Sequence, residues 1–192
     1  MSNSQIRVRQ LCRIGVMAAL YVPLALYVAV RIGNVQISFG SLPVVIAALL
    51  WGPGESFMVA VIGELFKQLL SYGLTATTVL YLIPPALRGV VIGLAALWLW
   101  KVRGERLDER RWICYAVCML AAMVTTSGNT LVILVDSIIY GYYSPLVVFG
   151  DAMWRFAVGL INSIVMSTAA MPLVRQLRRQ GRGNNYAGSR GN

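Results

Sequence analysis

Histidine is missing altogether from this chain of 192 residues, lysine occurs only twice, and acidic side chains number seven. Each shortage closes off chemistry. Without histidine there is no Ser-His or Cys-His nucleophile pair. Neither lysine follows a glycine, so there is no GxxxxGK[ST] phosphate loop, and ATP hydrolysis by that route is excluded. The carboxylates are scattered and offer no two-metal cluster. Cysteine is equally sparse. Cys12, Cys114 and Cys118 make no disulfide framework, and Cys114 and Cys118 read as small packing residues on one face of an apolar helix. No catalytic residue, metal ligand or cofactor is therefore assigned. Charge as a whole is thin, at 12% of residues, where a soluble domain carries about a quarter.

What fills the chain is apolar: 58% of residues are hydrophobic and the mean hydropathy is +0.68. Such a chain belongs in a lipid bilayer. Its net charge of +10 does not indicate nucleic acid, because the basic residues punctuate apolar runs instead of forming a patch on a polar domain. Apolar runs lie near 14–30, 37–51, 55–70, 79–100, 112–139 and 149–174. The first, 17 residues from Ile14 to Val30, exceeds the apolar region of a cleaved signal, about 7–15 residues, and reads as a retained membrane helix. Trp51-Gly52-Pro53-Gly54 separates the second run from the third as a turn. The expected fold is all-α, an integral membrane bundle of six transmembrane helices. Thirteen of the seventeen basic residues fall in 1–13, 101–111 and 175–192, against Arg31 alone in the opposite loops. The positive-inside rule then places both termini in the cytoplasm. The expected organisation is a cytoplasmic N-terminus over 1–13, one membrane domain over 14–178, and a flexible Gly/Asn-rich tail over 179–192.

Four cations, Arg31, Lys67, Arg88 and Arg155, and three acids, Glu64, Asp136 and Asp151, remain away from the basic end. A charge at membrane depth costs several kcal/mol on most estimates, so it pairs, faces a cavity, or does both. Glu64 and Lys67 are spaced to pair on one helix face beside Gln68, as are Asp151 and Arg155. Arg88 and Asp136 lack partners within their own helices, and the plain reading is an interhelical ion pair. The functional reading brings these charges together with Asn129, Thr130, Tyr72 and Tyr81 around an outward-facing pocket for a small polar solute. The leftover set sums to +1, a faint preference for anions. Gly15-x-x-x-Ala19 and Gly89-x-x-x-Gly93 allow close helix approach, either within the bundle or with a partner.

Taken in order, SFGSLPVVIAALLWGPGESFMVAVIGELFKQLL at 38–70, LIPPALRGVVIGL at 82–94, SGNTLVILVDSIIYG at 127–141 and Arg155 resemble the substrate-binding S components of energy-coupling factor (ECF) transporters. The folate-type branch is the most similar. Glu64 stands where that branch usually has Asp, and SYGLTATTVLYL at 71–82 lacks the Pro-Gly-rich, aromatic form common in folate binders. The resemblance covers residues 13–178. It implies high-affinity binding of a vitamin, folate-like as the best guess, under the outer loops. The substrate-binding set is Arg88, Arg155, Asn129, Asp136, Glu64, Tyr72, Tyr81 and Arg31. It further implies a transmembrane coupling protein and two cytoplasmic ATPases as partners, with Gly15 and Ala19 meeting the coupling protein, in the bacterial cytoplasmic membrane. Binding needs no ATPase, and ATP hydrolysis by the partners topples the unit to release the solute. The alternative is a self-sufficient small secondary transporter or channel. A lipid-acting membrane enzyme is disfavoured by the missing histidine and scattered carboxylates. Whether Glu64–Lys67 is a structural strut or a solute contact stays open.

Overall fold

A computed structural model describes residues 3–32, 35–150 and 152–188, and the side chains of 3, 4, 6, 29–32, 35–38, 147 and 181–188 lie outside that description. Its elements run α1 (Asn3–Leu26), β1 (Ala29–Ile32), β2 (Val35–Ser38), α2 (Ser41–Trp51), α3 (Pro53–Tyr72), α4 (Thr78–Arg103), α5 (Arg111–Ile139), α6 (Pro145–Phe149) and α7 (Ala152–Gly188). The architecture is the expected helical membrane bundle, with one addition. β1 and β2 pair antiparallel, Ala29 opposite Ser38 and Ile32 opposite Val35. The apolar runs at 14–30 and 37–51 each lose their facing ends to this hairpin. The reason is local: AVRI and VQIS are rich in β-branched residues, which favour extended backbone.

Among the described residues, four helices are long and apolar enough to cross a membrane: Arg7–Leu26, Thr78–Arg103, Arg111–Ile139 and Ala152–Gln180. Of the six expected helices, α2 is short, as its apolar run suggested. At 11 residues and a rise of about 1.5 Å per residue it covers about half of a hydrocarbon core roughly 30 Å thick. Instead of facing lipid, α2 is the centre of the bundle. Pro43 to Leu49 are all buried, packed on one side against Tyr21, Ala25, Val59 and Ala60 and on the other against Ile92, Leu99, Cys118, Met171 and Val174. A helix hydrophobic all round belongs in such a position. α7 extends to Gly188 and so takes in much of the stretch expected as a tail. α1 begins at Asn3, ahead of the first apolar run.

α2 and α3 are separated by Gly52 alone, whose φ of 93° lies in the region open to glycine, and Pro53 begins α3 without needing its missing N–H. Glycines then let α3 and α4 touch backbone to backbone. A Cβ on Gly93 would stand 2.5 Å from Pro53 Cα and N, and Ser56 Oγ donates to the Gly89 carbonyl at 3.0 Å. The Gly89–Gly93 pair is therefore used for internal packing. Gly93→Ala must push the α3 backbone aside. It should cost about 1–3 kcal/mol, as overpacking does, and lower the thermal midpoint of the detergent-solubilised protein, whereas Gly15→Ala, where a Cβ meets nothing within 4 Å, should leave it unchanged.

The basic end is tied together by groups whose positive charges the sequence explains only as topology. Asp108, in the α4–α5 loop and 3% exposed, accepts from Arg178 Nη1 at 2.8 Å. Arg178 Nη2 donates to the Leu49 carbonyl at 2.7 Å, one of the acceptors left over at the C-terminal end of α2. Arg175 Nη2 donates to the Asp108 carbonyl at 2.7 Å. These bonds fix α7 and the loop around the end of α2.

Candidate functional site

At the end of the bundle away from Asp108, a cavity of about 630 Å³ lies between α1, α2, α3, α4, α5 and α7. That volume suits a vitamin-sized solute, since small-molecule pockets run about 300–1,000 Å³. Its lining includes Glu64, Tyr72, Tyr81, Arg88, Asn129, Asp136 and Arg155, brought from four helices to one space. The Arg31 side chain and Asp151 lie outside the described residues, and with Asp151 the proposed Asp151–Arg155 pair. Thr130 is not in the lining; its Oγ1 donates back to the Thr126 carbonyl at 2.9 Å.

Glu64 anchors one wall. It is 3% exposed, and three donors converge on it: Tyr21 Oη at 2.5 Å, Lys67 Nζ at 2.8 Å and Gln68 Nε2 at 3.0 Å. Together they engage both carboxylate oxygens, as burial of such a group requires. The i, i+3 pair of the sequence exists, but its chief organiser comes from another helix. Tyr21 reaches Glu64 because Gly63 has no side chain: a Cβ there would stand 2.6 Å from the Tyr21 ring.

Asp136 holds the opposite rim. It accepts from the Tyr142 hydroxyl, just beyond α5, and the Tyr81 hydroxyl of α4 lies against the same carboxylate. The hydrogen bond to Asp136, followed by burial, pushes the Tyr142 phenol up to about 12. The interhelical ion pair expected between Arg88 and Asp136 is not formed. Arg88 instead donates from Nε to Thr125 Oγ1 at 3.3 Å, and Thr125 Oγ1 is itself fixed by donating to the Ala121 carbonyl at 2.6 Å. Among the described residues Arg88 pairs with no carboxylate. The physical reason is that tyrosine hydroxyls satisfy Asp136 locally, so the arginine one helix away keeps its charge for the cavity.

Sequence reasoning passes over several lining groups: Tyr21, Ser41, Thr125, Thr126 and Asn162. Asn162 was legible by the logic applied to the charges, as an amide set in the apolar run 149–174. Tyr21 carries no such signal, because a tyrosine in an apolar helix looks like packing. Ser41 Oγ and Asn162 Oδ1 are buried and find no hydrogen-bond partner among the described residues. Buried polar atoms normally have one. A solute with both donors and acceptors would supply it.

The family model for "ECF-type riboflavin transporter, S component" matches residues 5–179. Among solved structures, the S component for biotin from an ECF-type ABC transporter is similar with a TM-score of 0.59 and 17% identity, covering 91% of this chain and 95% of that one. FolT bound with folic acid is similar with a TM-score of 0.52 and 17% identity, covering 88% and 94%. At that identity the two likenesses concern the fold. No curated protein matches the chain in sequence.

Proposed function

Because this chain belongs to the family of ECF-type riboflavin transporter S components, we propose that it binds one vitamin in the cavity between α3, α4, α5 and α7 and delivers it as the substrate-specific subunit of an ATP-driven importer. The observation that carries the reading is the cavity's unspent hydrogen-bonding capacity. Arg88 offers donors and makes no ion pair among the described residues, and Ser41 Oγ and Asn162 Oδ1 find no partner among them either. Riboflavin is the first candidate substrate. Its flat ring system would lie against Tyr72, Tyr81 and Tyr140, Arg88 and Arg155 would donate to ring carbonyls, and Asn129 and Asn162 would meet the imide edge or the polyol chain. Preformed, mostly saturated walls with a few open polar groups give affinity together with orientation.

A second substrate reading, a carboxylate-bearing vitamin of the folate or biotin kind, is favoured by charge. Among the described residues the lining holds three cations, Lys67, Arg88 and Arg155, against two carboxylates, Glu64 and Asp136, an excess of one positive charge.

The partners in this reading are a transmembrane coupling protein and two cytoplasmic ATPases, in the bacterial cytoplasmic membrane with both termini inside. Gly15 and Ala19 lie exposed on α1, among Val8, Leu11, Val16 and Leu20, which are also exposed. That apolar face with small residues is where the coupling protein would pack.

The test is a vitamin panel on the purified chain, without any ATPase, by thermal shift and calorimetry. One vitamin should bind with a Kd below about 1 µM, equivalent to −8.2 kcal/mol, and riboflavin against folate and biotin decides between the two substrate readings. Absence of any shift across the panel sinks both. Solute flux into liposomes containing this chain alone would instead favour a self-sufficient transporter.

A further inference from the structure

A second hollow, also about 630 Å³, opens at the basic end of the bundle between α5 and α7. Its character differs from that of the first. Arg111 of α5 and Arg175 and Arg179 of α7 line it with Tyr115, Thr168 and Gln176, and no acidic side chain does. Arg175 is held in place through one nitrogen by the Asp108 carbonyl, a neutral acceptor that leaves its charge uncompensated. Arg111 and Arg179 are exposed and make no ion pair among the described residues. The polar floor is fixed: Thr168 Oγ1 donates to the Ile164 carbonyl at 2.8 Å, which leaves the Tyr115 hydroxyl to donate to Thr168 Oγ1 at 3.0 Å.

Three guanidinium groups around one hollow repel one another unless an anion sits among them. The surroundings say what kind of anion. Thr168, Pro172, Gln176 and Arg179 form an exposed stripe on α7, and towards the membrane centre the same helix face continues as Val165 and Ile161, exposed at 42% and 57%. A cationic hollow that runs into an exposed apolar strip on a membrane-spanning helix matches a molecule with a phosphate at one end and acyl chains at the other.

We infer that this groove is a binding site for an anionic phospholipid, its phosphate among Arg111, Arg175 and Arg179 and its chain along Val165 and Ile161. Bidentate donation by guanidinium suits a phosphodiester, and basic pockets between membrane helices take such headgroups. The bound lipid would brace α5 against α7 at the end opposite the vitamin cavity. The inference rests on the membrane-spanning character of α5 and α7 and not on the identity of the vitamin.

The test uses the purified full chain in a neutral detergent, titrated separately with phosphatidylglycerol, phosphatidylcholine and millimolar inorganic phosphate, and read by thermal midpoint and by native mass spectrometry of retained lipid. Phosphatidylglycerol should raise the midpoint and remain bound, while phosphatidylcholine and phosphate should do neither. R111Q/R179Q, which leaves the Arg175–Asp108 bond alone, should bind phosphatidylglycerol about thirtyfold more weakly, as expected for two basic side chains near an anionic headgroup, and should keep its vitamin affinity. An equal response to phosphatidylcholine, or an unchanged phosphatidylglycerol affinity in R111Q/R179Q, overturns the site. A matching response to inorganic phosphate assigns it to a free oxyanion and overturns the lipid.

Discussion

Replacing Arg88 by alanine should weaken vitamin binding about a hundredfold or more while leaving the empty protein as stable as before, or more so. Both halves follow from the same geometry. Arg88 lines the cavity and is positioned by one neutral acceptor, Thr125 Oγ1. Truncating a buried, hydrogen-bonded charge at a binding site costs about 2–5 kcal/mol, and about 2.7 kcal/mol is already two powers of ten. In the empty protein the same charge makes no ion-pair contact among the described residues, so removing it relieves a desolvation cost and strands no paired carboxylate. The paired measurement is calorimetric affinity for the panel's best vitamin together with the unliganded thermal midpoint. Affinity within threefold of wild type would remove Arg88 from the binding set. A large fall in the unliganded midpoint would make it a structural residue instead. Such a split between affinity and stability is common where a site keeps an unsatisfied group for its ligand.

Glu64→Ala should do the reverse and strike stability first. Its carboxylate is the acceptor for Tyr21, Lys67 and Gln68, so its loss strands one partly buried ammonium and two polar side chains at once. Breaking a buried pair by deleting one partner costs about 3–5 kcal/mol. For a chain of this length that corresponds to a fall of roughly 10 °C in thermal midpoint. Glu64→Gln, which keeps an acceptor oxygen of the same shape, should lose less. E64Q/K67M, which removes both charges, should recover much of what E64A loses, because an ion pair replaced as a unit leaves no uncompensated charge. A midpoint unchanged in E64A, with binding abolished, would assign Glu64 to the solute instead of to the strut.

The two charges on α3 show how far residue spacing carries. The i, i+3 interval of Glu64 and Lys67 predicts their ion pair, and the structure contains it at 2.8 Å. The same reasoning about unpaired groups on neighbouring helices fails for Arg88 and Asp136, because cost alone says that each needs a neighbour and not which one. Tyr142, six residues beyond Asp136, reaches it through the turn that ends α5. Asp108 and Arg178, seventy positions apart, form a partly buried ion pair, where topology had reduced Arg178 to one of a count of positive charges.

Hydropathy, charge distribution and glycine placement thus determined what can be settled locally: a membrane chain, the helical runs, the break at Gly52-Pro53 and the end at which basic residues gather. Those quantities depend on neighbours within a turn or two and on the cost of leaving backbone and charge unsatisfied in lipid. The depth and rotation of each helix decided the rest. α2 became the buried core helix because longer helices enclose it. Tyr21 became the organiser of Glu64 because Gly63 leaves room for its ring. The cavity exists because α3, α4, α5 and α7 turn their few polar residues towards one another, and that mutual orientation comes from side-chain packing between segments far apart in the chain, which no local pattern records.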